Sequence, residues 1–305
     1  MSHANKNDAS QSEAGSDGKS GRMKTKRNPW LWVPSTYIAE GIPYMIVMTV
    51  SVVMYKNLGL SNTDIALYTS WLYLPWVIKP LWSPFVDLFR TKRFWIVVTQ
   101  LAIGGSFACV ALTLPAADFV RYTLAILWIM AFSSATHDIA ADGFYMLGLT
   151  TPEQAAFVGV RTVFYRVATI ASKGGLVILA GTLQKYGYPV ASAWSVTFVV
   201  VAAFFLALCI YHLLILPYPE TDHSAPLDKG KSLVTEYFRI ITLFFRQKDI
   251  IIIICFFLFY RFAEAQLVKM VAPFLLDSRA KGGLGLTTAE VGWIYGTVGV
   301  VALML

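Results

Sequence analysis

The sequence predicts an all-α polytopic membrane protein, and three observations carry that prediction. Of 305 residues, 56% are hydrophobic and only 14% are charged, where a soluble domain would carry about 25% charged residues. Mean hydropathy is accordingly high, at +0.58. Apolar runs recur along the chain, each about the 20 residues that span a hydrocarbon layer as a helix. Lys and Arg collect at the ends of those runs, as they do in cytoplasmic loops and beside anionic lipid. The formal net charge of +7 is therefore topological and does not imply nucleic acid. Cys109, Cys209 and Cys255 all lie in apolar runs and serve as small hydrophobes. No metal and no cofactor is expected.

Taken in order, residues 1–28 are polar and rich in Ser, Gly, Asn and Lys, which predicts a disordered tail. Its basic end, Arg22 to Arg27, places the N-terminus in the cytoplasm. Residues 29–216 hold six spans. The first, Trp30 to Tyr55, carries one charge, Glu40, about 15 Å in. Gly41 and Pro43 loosen the helix beside it. The second, Asp64 to Trp82, is interrupted by Pro75 and ends in Lys79-Pro80. A basic loop over Ser83 to Arg93 is predicted next, with Asp87, Arg90 and Arg93. Phe94 to Leu114 and Val120 to Leu147 are the third and fourth spans. Ala155 to Gly181, the fifth, holds Arg161, Arg166 and Lys173, and Ala191 to Leu216 is the sixth. Residues 217–248 form a cytoplasmic linker whose amphipathic part, Ser232 to Lys248, is expected in the interface. Residues 249–305 begin a second bundle: a seventh span to Leu276, with Arg261, Glu264 and Lys269, and part of an eighth from Ala289.

The fourth span carries the least expected residues. Asp138 and Asp142 are four apart and share one helix face. His137 lies about 100° round from Asp138. A carboxylate at mid-membrane costs roughly 2.5–3.5 kcal/mol even on mild insertion scales. Two on one face are therefore expected to look into a wet cavity or at a cation. Depth counting at about 1.5 Å per residue sets Arg161 level with the two aspartates and Arg166 level with His137. Glu40, Arg261 and Glu264 fall near mid-depth as well. The layer predicts a substrate pocket with proton coupling, His137 beside Asp138 being a candidate proton carrier. The competing reading is a set of structural ion pairs between helices. His212 and His223 are assigned no role.

The first and seventh spans repeat one another. Ala39-Glu40 is echoed by Ala263-Glu264, and Leu58-Gly59-Leu60-Ser61-Asn62-Thr63-Asp64-Ile65 by Leu284-Gly285-Leu286-Thr287-Thr288-Ala289-Glu290-Val291. Two halves of parallel topology, each opening on a Glu-bearing span, match the layout of the major facilitator superfamily (MFS). The complete first half and the start of the second make the sequence read as truncated.

Within that superfamily the chain resembles the AmpG-like permeases. Glu40-Gly41-Ile42-Pro43 is similar to their Gln-Gly-Ile-Pro. Leu74 to Pro84, with Asp87, resembles their second span and following loop. Ala135-Thr136-His137-Asp138-Ile139 with Asp142 resembles their Ala-Thr-Gln-Asp-Ile and second Asp, and Tyr165-Arg166 with Gly174-Gly175 their fifth span. His137 for an amide, Glu40 for Gln, Lys173, and a short loop without Gly-Arg-Arg depart from the pattern. The resemblance implies an MFS transporter, not an enzyme. Its expected activity is proton-driven import of anhydromuropeptides across the bacterial inner membrane, by alternating access, as a monomer. Lys79, Asp87, Arg90 and Arg93 would then belong to the conformational loop. Acetyl-CoA or another small anion is the alternative cargo, and an intramembrane transferase the alternative class.

Overall fold

The structure, a computed structural model, describes residues 27–223 and 232–302, without the side chains of 233, 261 and 263–265. Most of the expected tail and residues 224–231 of the linker lie outside the described residues. The described chain is helical: α1 (Pro29–Asn57), α2 (62–88), α3 (Lys92–Thr113), α4 (Phe119–Gly148), α5 (Thr151–Lys185), α6 (Val190–Ile215), α7 (Leu233–Phe245), α8 (Ile250–Leu276) and α9 (288–302). Five of these, α1 and α3 to α6, are long and apolar enough to cross a membrane. The helices alternate in direction. The ends at Leu88, Gly148 and Ile215 define the near side, and those at Asn57, Lys185 and Leu276 the far side.

Proline sets the irregularities. Pro43, inside α1, cannot donate to the ladder, and the helix slips into a π turn over Ile46–Val50. α2 is segmented: a 3-10 turn at Trp71–Tyr73 precedes Pro75, and Ile78 leaves helical geometry just before Lys79–Leu88. This last piece corrects the predicted loop over Ser83 to Arg93. Pro80 falls in its first turn, where a missing N–H leaves no bond unmade, so the helix runs on to Leu88. Arg90 closes it with a left-handed backbone, φ 69°.

Six helices form the first bundle. α3 packs along both α4 and α6, and α1 along α5 and α4. Phe107 of α3 meets Phe205 of α6 at 5.1 Å between ring centroids, in edge-to-face geometry. α1 and α5 approach at Gly41, where a Cβ would come within 2.8 Å of the Ala168 Cβ. That contact draws Glu40 towards α5.

On the near side the connections cap one another. The Asp222 carboxylate accepts from the amides of Lys92 (2.7 Å) and Arg93 (3.0 Å), satisfying the start of α3. Arg93 in turn donates to the carbonyl of Leu213 at 2.5 Å, at the end of α6, and lies 3.9 Å over the Tyr218 ring. α7 is docked on the end of α2, the Tyr237 hydroxyl donating to the Leu81 carbonyl. It leaves Val234, Phe238 and Phe245 exposed.

The sequence repeat is a repeat of backbone too. Gly59 and Gly285 both take positive φ, at 89° and 69°. Ser61 and Thr287 follow them and cap α2 and α9 by accepting from the amides of Asp64 and Glu290.

Candidate functional site

The charged layer is built around α4. Asp138 and Asp142 are stacked one turn apart, and each is held by a cation from a different neighbour. Lys79 Nζ lies 2.7 Å from Asp138 Oδ2, and Trp76 Nε1 donates to the same oxygen at 3.0 Å. Both come from α2. The break at Ile78 turns the two side chains onto one carboxylate. Asp142 Oδ1 accepts from Arg161 Nη2 of α5 at 2.9 Å and from the Tyr37 hydroxyl of α1 at 3.0 Å. The Arg161 guanidinium also lies over the rings of Tyr37 and Tyr145, at 4.6 and 5.2 Å.

Glu40 is the third acid. It lies in the field of Asp138, Asp142, Lys79 and Arg161. Its Oε2 is shut off from solvent and has no hydrogen-bond partner. Asp138 Oδ1 is in the same condition. Buried polar atoms are rarely left unpaired, so both mark places where a proton or a ligand atom would be stabilised. Tyr44 packs edge-to-face on Trp76 at 5.1 Å and completes an aromatic wall. The layer is wetter towards the near side: the Asp142 side chain is 50% exposed, that of Asp138 only 10%.

The other expected residues divide. His137 is turned away from this pocket. It is fully buried and bonds to Gln100 of α3 (3.0 Å), which bonds to His212 of α6 (2.9 Å), which bonds to Ser35 of α1 (2.8 Å). This corrects its expected place beside Asp138 and Arg166. The 100° step between residues 137 and 138 carries it to the rear of the helix. Arg166 bears on Tyr165 and Lys173. Among the described residues no ion pair joins it to an acid of the layer. The side chains of Arg261 and Glu264 lie outside the described residues.

The expected conformational loop is dispersed. Lys79 belongs to the charged layer. Asp87 pairs with Lys92, whose stem crosses Gly143 of α4, where a Cβ would come within 3.0 Å of Lys92 Cε. Arg90 lies over the rings of Phe89 and Phe94, and Arg93 caps α6. Sequence reasoning missed Trp76, Tyr37 and the role of Lys79. The available signal was Trp76 and Lys79 at helical spacing in an apolar span, beside two prolines.

The profile of the Major Facilitator Superfamily matches residues 35–305. The chain is 24% identical over 279 residues to the anhydromuropeptide permease of Escherichia coli K12, covering 88% of this chain and 51% of that protein. It is 23% identical to a transporter of Rickettsia conorii named AmpG 4, covering 88% of this chain and 63% of that one. It thus spans about half to two-thirds of the length of these relatives. In fold it resembles the solved structure of a bacterial homologue of the human lysosomal transporter Spinster, titled inward-facing and unoccupied. The TM-score is 0.62 at 17% identity, over 90% of this chain and 59% of that one.

Proposed function

Because the chain belongs to the Major Facilitator Superfamily, we propose that it is a proton-driven importer of anhydromuropeptides or related wall-derived sugar-peptides, working by alternating access. The observation that carries the proposal is the double tether of α4, Asp138 to Lys79 of α2 and Asp142 to Arg161 of α5. The names of the bacterial relatives support the cargo. Those relatives are permeases and transporters, so the transferase alternative is set aside.

The mechanism follows from charge balance. While Asp138 is ionised it compensates Lys79. A proton on Asp138 removes that compensation and leaves a partly buried cation seeking an acid. A substrate carboxylate supplies one. Proton and substrate occupancy are then coupled because each is stabilised by the other. Asp142 and Arg161 repeat the arrangement at the wetter, near-side end. Glu40 offers a third carboxyl within the same field. Trp76, Tyr44 and Tyr37 supply the apolar surface that small-molecule sites place between polar groups. The near side is the cytoplasmic face in this reading, and the membrane is the bacterial inner membrane.

The test is uptake of labelled anhydromuropeptide by the full-length protein in vesicles, with and without a proton gradient. Gradient-driven uptake that vanishes in Asp138→Asn, with the protein still in the membrane, is expected. Normal uptake by that variant removes Asp138 from the mechanism. Uptake of acetyl-CoA in place of the muropeptide would replace the cargo.

A further inference from the structure

The far side is closed by contacts between the two halves, and those contacts follow the internal repeat. Asn62 and Thr288 hold the same place in their turns, each directly after its capping residue, Ser61 or Thr287. Each reaches across to the far-side end of the other half's first helix. Asn62 Nδ2 donates to Asp277 Oδ2, just past α8, at 2.7 Å. Thr288 Oγ1 donates to Asn57 Oδ1, at the end of α1, at 2.9 Å.

The two arms differ in charge. In the first, Lys56 Nζ lies 2.6 Å from Asp277 Oδ1 and donates to Asn62 Oδ1 at 2.6 Å, closing a three-membered ring of polar groups. The second is neutral: Asn57 Oδ1 takes a second bond from Trp194 Nε1 of α6 at 3.2 Å. About two turns deeper, two lysines also cross between the halves, from helices that the repeat does not pair. Lys269 of α8 donates to the Thr69 carbonyl of α2 at 3.0 Å, and Lys173 of α5 lies 5.1 Å from the centroid of the Tyr295 ring of α9. Beside Lys173 the backbones of α5 and α9 touch. A Cβ on Gly296 would collide with the Lys173 carbonyl oxygen.

We propose that these residues form a two-armed far-side latch that holds the pocket open to the near side only, with Lys56–Asp277–Asn62 as the arm that sets the closed state. This rests on the alternating-access reading above. Three observations support it. The arms join the halves and not helices of one half. Exposure in the charged layer rises away from them, from Asp138 to Asp142. The charged arm combines an ion pair with two hydrogen bonds to an amide, and ionised partners make the stronger bonds. Lys173, the charge foreign to the resembled fifth span, has its place here as a contact between halves.

The experiment places spin labels at Thr63→Cys and Ala280→Cys, both exposed, in the full chain with Cys109 and Cys255 replaced by serine. Distances are read across the far side in lipid nanodiscs, without substrate. Asp277→Asn is expected to add a population longer by several ångströms, and Thr288→Val a smaller one. Exchanging the pair, Lys56→Asp with Asp277→Lys, is expected to restore the short distance, which separates the latch from a folding defect. An unchanged distribution in Asp277→Asn overturns the latch. A larger shift from Thr288→Val than from Asp277→Asn overturns the ranking of the arms. Because no substrate is involved, a failed uptake assay with the distance shift intact rejects the proposed cargo or coupling and leaves the latch standing.

Discussion

Adjacent residues on α4 face two different polar systems. Asp138 looks forward, into a layer where carboxylates meet Lys79 and Arg161. His137 looks backward, into a chain of uncharged partners, Gln100, His212 and Ser35. Both systems are buried, and both join several helices. The forward one holds charges whose pairing changes with a proton, and it borders the wetter end of the layer. The rear one is a hydrogen-bonded chain with no acid in it, although His137 Nδ1 is left without a partner among the described residues. Burial and hydrogen bonding therefore do not by themselves mark a site. A site shows charge that can be redistributed and a path to water.

Substitutions on the two faces sharpen the contrast. The largest effect is expected from Asp138→Asn, which removes gradient-driven uptake while the protein still inserts. Next comes Gln100→Leu, which strands two buried imidazoles. About 1–3 kcal/mol of stability is expected to go with each buried group left unsatisfied, read as a lower thermal midpoint. Uptake per folded molecule should change little. If Gln100→Leu instead abolished coupling at full stability, the rear chain would belong to the mechanism. Arg161→Lys is expected to be milder. It keeps a charge near Asp142 but loses the flat guanidinium over Tyr37 and Tyr145, so apparent substrate affinity should weaken about tenfold or less, measured as KM against kcat.

The smallest effect concerns the latch and pH. The hydrogen bond from Lys56, then that from Asn62, holds the Asp277 carboxyl below its usual range. A lowered value in the latched form means that the proton favours the unlatched form. Latch stability is therefore fully present above the ordinary aspartate pKa of about 4 and is lost as pH falls through the lowered value. Far-side label distances should stay constant from about pH 8 to about pH 5 and lengthen only below about pH 4. A lengthening near neutrality would assign the response to another group.

Much of the helical layout was legible because hydrophobic length and proline position are local properties. The span boundaries of α3, α4 and α6 agree with the sequence expectation within two residues. The loop over Ser83 to Arg93 was misplaced because Pro80 and Pro84 suggest a break, whereas a proline in a first turn begins a helix. Depth counting brought Asp142 level with Arg161, since both helices run straight from the same connection. It could not bring Lys79 to Asp138, because that contact depends on the turn of α2 at Ile78.

The sequence by itself determined that long apolar helices recur along the chain, how the two halves repeat, and that Asp142 and Arg161 share one depth. Those follow from composition, spacing and the fixed rise of a helix. Only the tertiary structure decided which acid meets which base, that His137 belongs to the rear of the bundle, and that Asn62 and Thr288 reach across the two halves. The reason is physical: pairing depends on helix rotation and on bends at proline, and both are settled by packing against neighbours far away in the chain.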